Sequence, residues 1–158
     1  MESAAAESAL KATAIARALH GAFCRGVPSQ ELLRLASTKI HESGPPYSHV
    51  YMYRLQPDDT LALVAYSGQP PDANSINALS GQRRRAVLDK TNSYMPRINP
   101  RDQPQTHSSD TQSELVILIR RHDEVIGAID IESDLPDAFN DVEQTAVVEV
   151  ADALAALL

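Results

Sequence analysis

The stretch "VIGAIDIESD", Val125–Asp134, reads as a strand of divided character. Side chains two apart along a strand point the same way, so Ile126, Ala128, Asp130 and Glu132 share one face. Val125, Gly127, Ile129 and Ile131 share the other, which is wholly apolar, as a core requires. The first face turns acidic halfway along. Two carboxylates about 7 Å apart repel by roughly 2 kcal/mol at an effective dielectric of about 20. Burial adds desolvation, so such a pair asks for a cation, a shared proton or hydrogen-bond donors.

Upstream, "SELVILIRR", Ser113–Arg121, is a second strand joined to the first through "HD", a hairpin connection. Downstream, Asn140 and Glu143 in "NDVE" form a capping-box start to a helix with Val147, Val150, Ala151, Leu154 and Leu158 on one side. Earlier, "YSHVYMYRL" and "TLALVAYSG" flank the turn "QPDD" as another hairpin, with Tyr47, Tyr51 and Tyr53 on one face beside His49. Residues 3 to about 23 have helical spacing at Leu10, Ile15, Leu19 and Phe23, and Pro28–Ser29 starts a second helix. "QRRRAVLDKT" predicts a short helix and "SYMPRIN" a short edge strand, with Pro96 barring a central place. Residues 99–112 form a long loop.

The order is therefore two helices, a hairpin, a short helix and strand, a long loop, a hairpin and a last helix. Hairpin-joined strands predict an α+β fold: a central antiparallel sheet, N- and C-terminal helices on one face, loops and the short helix on the other. No linker divides residues 1–158, so one domain is expected, residues 1–28 being a helical extension of a 29–158 core.

The totals narrow the function. A hydrophobic fraction of 43% supports a core, and a net charge of −7 disfavours nucleic acid as a partner. No apolar run approaches the roughly 20 residues of a membrane helix. The opening "MESAAAESALKA" has no signal core, and the single cysteine, Cys24, cannot form an internal disulfide, so a cytoplasmic protein is expected. Free cysteine is commonly buried, and Cys24 is expected to be a small buried hydrophobe.

The order of elements, with Ser113, Glu114, Gly127, Ile129, Asp130, Ile131, Ser133, Ala138 and Phe139 in sequence, resembles the GAF family of small-ligand sensor domains. The likeness spans about residues 30–158 and is strongest over the last forty-five. Within the family the chain is similar to compact proteins that either reduce free methionine-R-sulfoxide or sense small anions such as nitrate; "AYSGQP", residues 65–70, fits both. The reductases carry a "GVCG" turn where this chain has Gly81, Gln82, Arg83 and Arg84, and a cysteine where His107 stands. Sulfoxide chemistry needs a nucleophilic sulfur and usually a second to resolve it. With Arg83 and His107 at those positions, the expectation is a non-catalytic domain that binds an amino-acid-like metabolite or small anion, the alternatives being a reductase-like enzyme with altered cysteine chemistry and a ligand-free interaction scaffold.

The resemblance implies that Glu114, Asp130 and Glu132 line the ligand site, with His107, Tyr66 and Tyr51 as further contacts. Arg83, Arg84 and Arg85 form an alternative anion site at the start of the short helix. A structural alternative stands beside both: Asp130 and Glu132 at a solvated strand end, tying down the turn "SDLPDAFND". No cofactor is implied, and no metal, since harder ligands are not grouped with the acids. "HSSD", residues 107–110, has triad residue types but not triad geometry, adjacent loop residues being unable to adopt it. The expected partners are a small molecule, a signalling protein and a second copy held through the terminal helices, whose alanine-leucine faces exceed what one sheet face covers.

Overall fold

Strands β1 (His49–Leu55), β2 (Leu61–Ser67), β3 (Ser93–Met95), β4 (Ser113–Arg121) and β5 (Glu124–Ser133) form one antiparallel sheet in the order β2-β1-β5-β4-β3. Helices are α1 (Ala12–Cys24), α2 (Ser29–His41), the short α3 (Gln82–Asp89) and α4 (Asp141–Leu157). This computed structural model describes residues 7–71, 82–99 and 110–158, Gln82 by its backbone alone. The α+β arrangement is the one the sequence predicts.

Alternation divides the sheet. Val50 and Met52 of β1, Leu115, Ile117 and Ile119 of β4, and Ile129 and Ile131 of β5 face α2 and α4 in the main core. The apolar stripe of α4, Val147, Val150, Ala151 and Leu154, is buried there too. Helix α1 packs upon α4 and α2 as an outer layer, and its Ile15, Leu19 and Ala22 are buried within the chain. The apolar faces invoked for a dimer are therefore already covered internally, with Phe23 exposed. On the opposite face a smaller cluster, Val116, Leu118, Val125 and Ala128, is capped by Ala86 of α3.

Three details differ from the sequence reading. The first helix begins at Ala12, because Ser8 and the Ala9 amide turn to the Glu143 carboxylate on α4, at 2.9 and 2.6 Å. Glu143 thus leaves the capping box half closed: Asn140 Oδ1 accepts the Glu143 amide at 2.9 Å, but the carboxylate serves the other end of the molecule. Tyr47 does not share a face with Tyr51 and Tyr53. It precedes β1, lies in the helix-side core against Phe139, and donates its hydroxyl to Glu143.

The third is at the start of β5. Ile119 pairs with Gly127 and Arg120 with Val125, so Ile126 is an extra residue, a bulge. The bulge reverses the alternation before it: Val125 joins the smaller cluster and Ile126 the main core.

Candidate functional site

Register brings the acids together. β1 lies against β5 with Tyr51 opposite Asp130, Tyr53 opposite Ala128 and His49 opposite Glu132. On the other side of β5, Glu114 of β4 is opposite Glu132, and Val116 is opposite Asp130. Like charges directly across a pair of strands repel. Glu114, Asp130 and Glu132 nevertheless sit side by side at 3%, 0% and 4% exposure. This burial overturns the solvated-strand-end alternative. The 134–138 turn is fastened by others: Ser113 Oγ donates to the Leu135 carbonyl at 2.6 Å, and Arg97 pairs with Asp137 at 3.0 Å.

Arg83 reaches this face from the first turn of α3. Its Nη1 donates to Asp130 Oδ2 at 3.0 Å and to the Tyr53 hydroxyl at 2.6 Å, and its guanidinium lies 4.5 Å from the Tyr53 ring centroid. Arg83 is thus turned toward acids instead of toward an anion, while Arg84 and Arg85 are exposed. The three arginines do not form one anion site. Burial pulls the Arg83 guanidinium down, but Asp130, Tyr53 and Glu114 outweigh it and hold the group firmly charged.

Arg83 does not bring Glu114 and Asp130 back to the ordinary carboxylate range. Burial pushes Glu114 up to about 7, repulsion from Glu132 adds to this, and Asp130 and Arg83 pull the other way. Asp130 lies well above the usual carboxylate range, from burial and then Glu114, despite Arg83. The two carboxyls are within hydrogen-bonding reach, a contact between two acceptors until one carries a proton. Asp130 Oδ1 is buried and has no hydrogen-bond partner among the described residues. Burial, with the same acids, also raises the Tyr51 and Tyr53 phenols, which stay neutral.

The rim is held by the turn after β2. Tyr51 donates its hydroxyl to the Gln69 carbonyl at 3.0 Å, and the Gln69 amide donates to His49 Nδ1 at 3.0 Å. The proton of a neutral His49 ring therefore sits on Nε2, 3.4 Å from Asp134 Oδ1. Gly68 makes the approach possible at φ +101°, since a Cβ there would stand 2.6 Å from the Ser48 carbonyl oxygen. Tyr66 is half-exposed beside Tyr51, with ring centroids 6.5 Å apart.

Of the residues singled out in the sequence, Glu114, Asp130, Glu132, Tyr51 and Tyr66 share this face. His107 lies outside the described residues. Cys24 is exposed at the end of α1, its sulfur 3.5 Å from His20 Nε2, instead of buried; the buried stripe of α1 runs through Ile15, Leu19 and Ala22. Tyr53 and His49 were missed as site residues, although parity with Tyr51 along β1 marks both. The sequence offers Arg54, Arg83, Arg84 and Arg85 as cations for the acids, and Arg83 is the one that meets Asp130. Among the described residues no group of His, Cys, Asp and Glu is arranged to hold a metal ion, and no helix is long and apolar enough to cross a membrane.

No family model and no curated protein matches the chain. Solved structures do. The type II free methionine-R-sulfoxide reductase of Thermoplasma acidophilum is 30% identical, covers 82% of this chain and 91% of its own, and superposes with a TM-score of 0.72. The free methionine-R-sulfoxide reductase of Neisseria meningitidis, in complex with its substrate, is 17% identical over 99% of this chain and 93% of its own, with a TM-score of 0.78. The GAF domain of an Acinetobacter phosphoenolpyruvate-protein phosphotransferase is 12% identical over 92% and 90%, with a TM-score of 0.73. The last two likenesses speak to the fold alone.

Proposed function

This chain belongs to the GAF-like family and is related to the free methionine-R-sulfoxide reductases, and we propose that it binds a small amino-acid-like metabolite without transforming it. The observation that carries this reading is the burial of Glu114, Asp130 and Glu132 on neighbouring strands, with one Asp130 oxygen lacking a donor among the described residues. An ammonium supplies positive charge and several N–H donors together, which is what raised carboxyls in a dry site demand. A small anion meets the opposite: the largely buried guanidinium of Arg83 is turned to Asp130, and the rest of the face is lined by carboxyls.

Catalysis is disfavoured by the placement of sulfur. The single cysteine of the sequence is exposed on α1, in the helical layer, while the acids lie on the sheet face away from it. The kinship with the Thermoplasma reductase favours the second reading, an enzyme with altered thiol chemistry. Incubation with free methionine-R-sulfoxide and a thiol reductant separates the two. Turnover that is lost in Cys24→Ser establishes the enzyme.

Binding is tested by a thermal-shift screen of amino acids, their sulfoxides, nitrate and nucleotides. A ligand at about 100 times its Kd adds about 2.7 kcal/mol, a shift of several degrees for a domain of this size. Glu114→Gln should remove the shift. The reading includes transfer of the ligand state to a signalling protein in the cytoplasm, and pairing with a second copy through the terminal helices. Light scattering that finds only monomer at micromolar concentration discards the pairing.

A further inference from the structure

His49 stands where three strands meet at the rim of the acidic face. It opens β1 opposite Glu132 of β5, and its Nδ1 accepts the Gln69 amide of the turn after β2 at 3.0 Å. A backbone N–H can only donate, so Nδ1 carries no proton while that bond is made. The other ring nitrogen, Nε2, lies 3.4 Å from Asp134 Oδ1, just past the end of β5. The turn has no slack here: a Cβ at Gly68 would stand 3.0 Å from the same Nδ1 and 2.6 Å from the Ser48 carbonyl oxygen. The Gln69 carbonyl accepts the Tyr51 hydroxyl at 3.0 Å, so one residue of the turn is tied twice to β1.

A proton breaks the first of these ties and spares the second. A charged imidazole bears N–H on both nitrogens, and Nδ1 then meets the Gln69 amide donor to donor. Imidazole is the side chain that ordinarily makes this change between about pH 5 and 8. We propose that His49 is a proton-operated clasp. Neutral, it holds the turn after β2 to the rim of the acidic face; charged, it releases the Gln69 amide and keeps its hold on the acids.

The groups around the ring make two arrangements available. Glu132 on β5 and Asp134 beyond it favour the charged ring, and the Gln69 amide favours the neutral one. Ser48 Oγ accepts the Asp134 amide at 3.0 Å, which fastens the backbone of Asp134 beside the ring. Tyr51, two residues along β1, presents its hydroxyl to the Gln69 carbonyl, with Tyr66 of β2 beside it. The two arrangements differ by one proton and one hydrogen bond, which is what a histidine switch requires. The clasp involves no ligand and is independent of the binding role.

Nitrogen NMR of the full chain without ligand, from pH 8 to 5, tests it. At pH 8 a coupling across the hydrogen bond should join the Gln69 backbone nitrogen to His49 Nδ1, with the ring proton on Nε2. As the ring takes its second proton the coupling should vanish. The protection of the Gln69 amide, corrected for intrinsic exchange, should fall roughly tenfold with the same midpoint. The Gln56 amide, which donates to the Thr60 carbonyl at the other end of the hairpin at 2.8 Å, should keep its protection. A ring proton on Nδ1 at pH 8, a ring that stays neutral down to pH 5, or a Gln69 amide that ignores the ring titration overturns the clasp. In His49→Gln the Gln69 and Tyr51 signals should lose their response over this range, and a response that survives overturns it too. The wild-type titration decides even if the variant fails to fold.

Discussion

Arg83 meets Asp130 through a single nitrogen, Nη1, 3.0 Å from Oδ2, on the far side of the sheet from the main core. Removing the guanidinium leaves a buried carboxyl without its ion-pair partner. Breaking a buried pair typically costs about 3–5 kcal/mol, but a carboxyl that can take a proton escapes much of that. Arg83→Met is therefore expected to lower stability by about 3 kcal/mol at pH 8 and by much less at pH 5. Urea unfolding at the two pH values measures the difference. An equal loss at both would mean that Asp130 does not change its protonation between them.

Glu114 carries the opposite sign of effect. Its folded value of about 7 stands above the ordinary glutamate range, so the native chain binds more protons than the unfolded one between about pH 4.5 and 7. The Glu114 contribution to stability falls as pH rises through that window and is flat beyond it. Glu114→Gln should remove its share of the slope, leaving that of Asp130, and make the variant more stable than wild type at pH 8, by up to about 3 kcal/mol. A wild-type curve that rises between pH 5 and 7 would refute the assignment.

Glu143 should behave as a cap supplied from a distance. Helix α1 has no side-chain cap of its own, and the Ala9 amide and Ser8 hydroxyl just before it are held by a carboxylate of α4 that also accepts from Tyr47. Glu143→Ala leaves the Tyr47 hydroxyl buried without its acceptor and is expected to cost about 2–4 kcal/mol. Hydrogen exchange should rise first at the start of α1. Uniform acceleration across the sheet would argue against the capping role.

Gly127 pairs with β1, and a Cβ there would overlap the Tyr53 carbonyl oxygen. Backbone cannot yield as a flexible side chain does, so Gly127→Ala should force β1 and β5 apart, costing about 2–4 kcal/mol. Because Tyr53 accepts from Arg83, the substitution should also disturb the tyrosine ring signals in NMR. Tyrosine signals that stay in place would show that the strands absorb the methyl elsewhere.

Much of this architecture is legible in the sequence because period and punctuation act locally. The hairpins, the α4 stripe and the two-faced β5 all follow from alternation, helical spacing and turn residues. The gathering of Asp130 and Glu132 with Glu114 needs only that β4 and β5 form a hairpin. What alternation cannot foresee is an interruption to itself, such as the bulge at Ile126. Nor can it place side chains that reach across the molecule. Glu143 looks like half of a local box, yet its carboxylate serves residues more than a hundred positions away. Arg83 is one of four arginines that could meet the acids, and nothing local selects it until α3 is laid on the sheet.

The position of β5 sets the timing of assembly. It pairs with β1 on one side and β4 on the other, and the chain makes it after both. Until it inserts, the first hairpin and β4 each expose an open edge, and neither has its neighbour. Such non-local closure is slow compared with helix formation. A nascent chain halted before Glu124 can hold helices and one hairpin but lacks Asp130 and Glu132, so the buried acidic face is completed in a single late step.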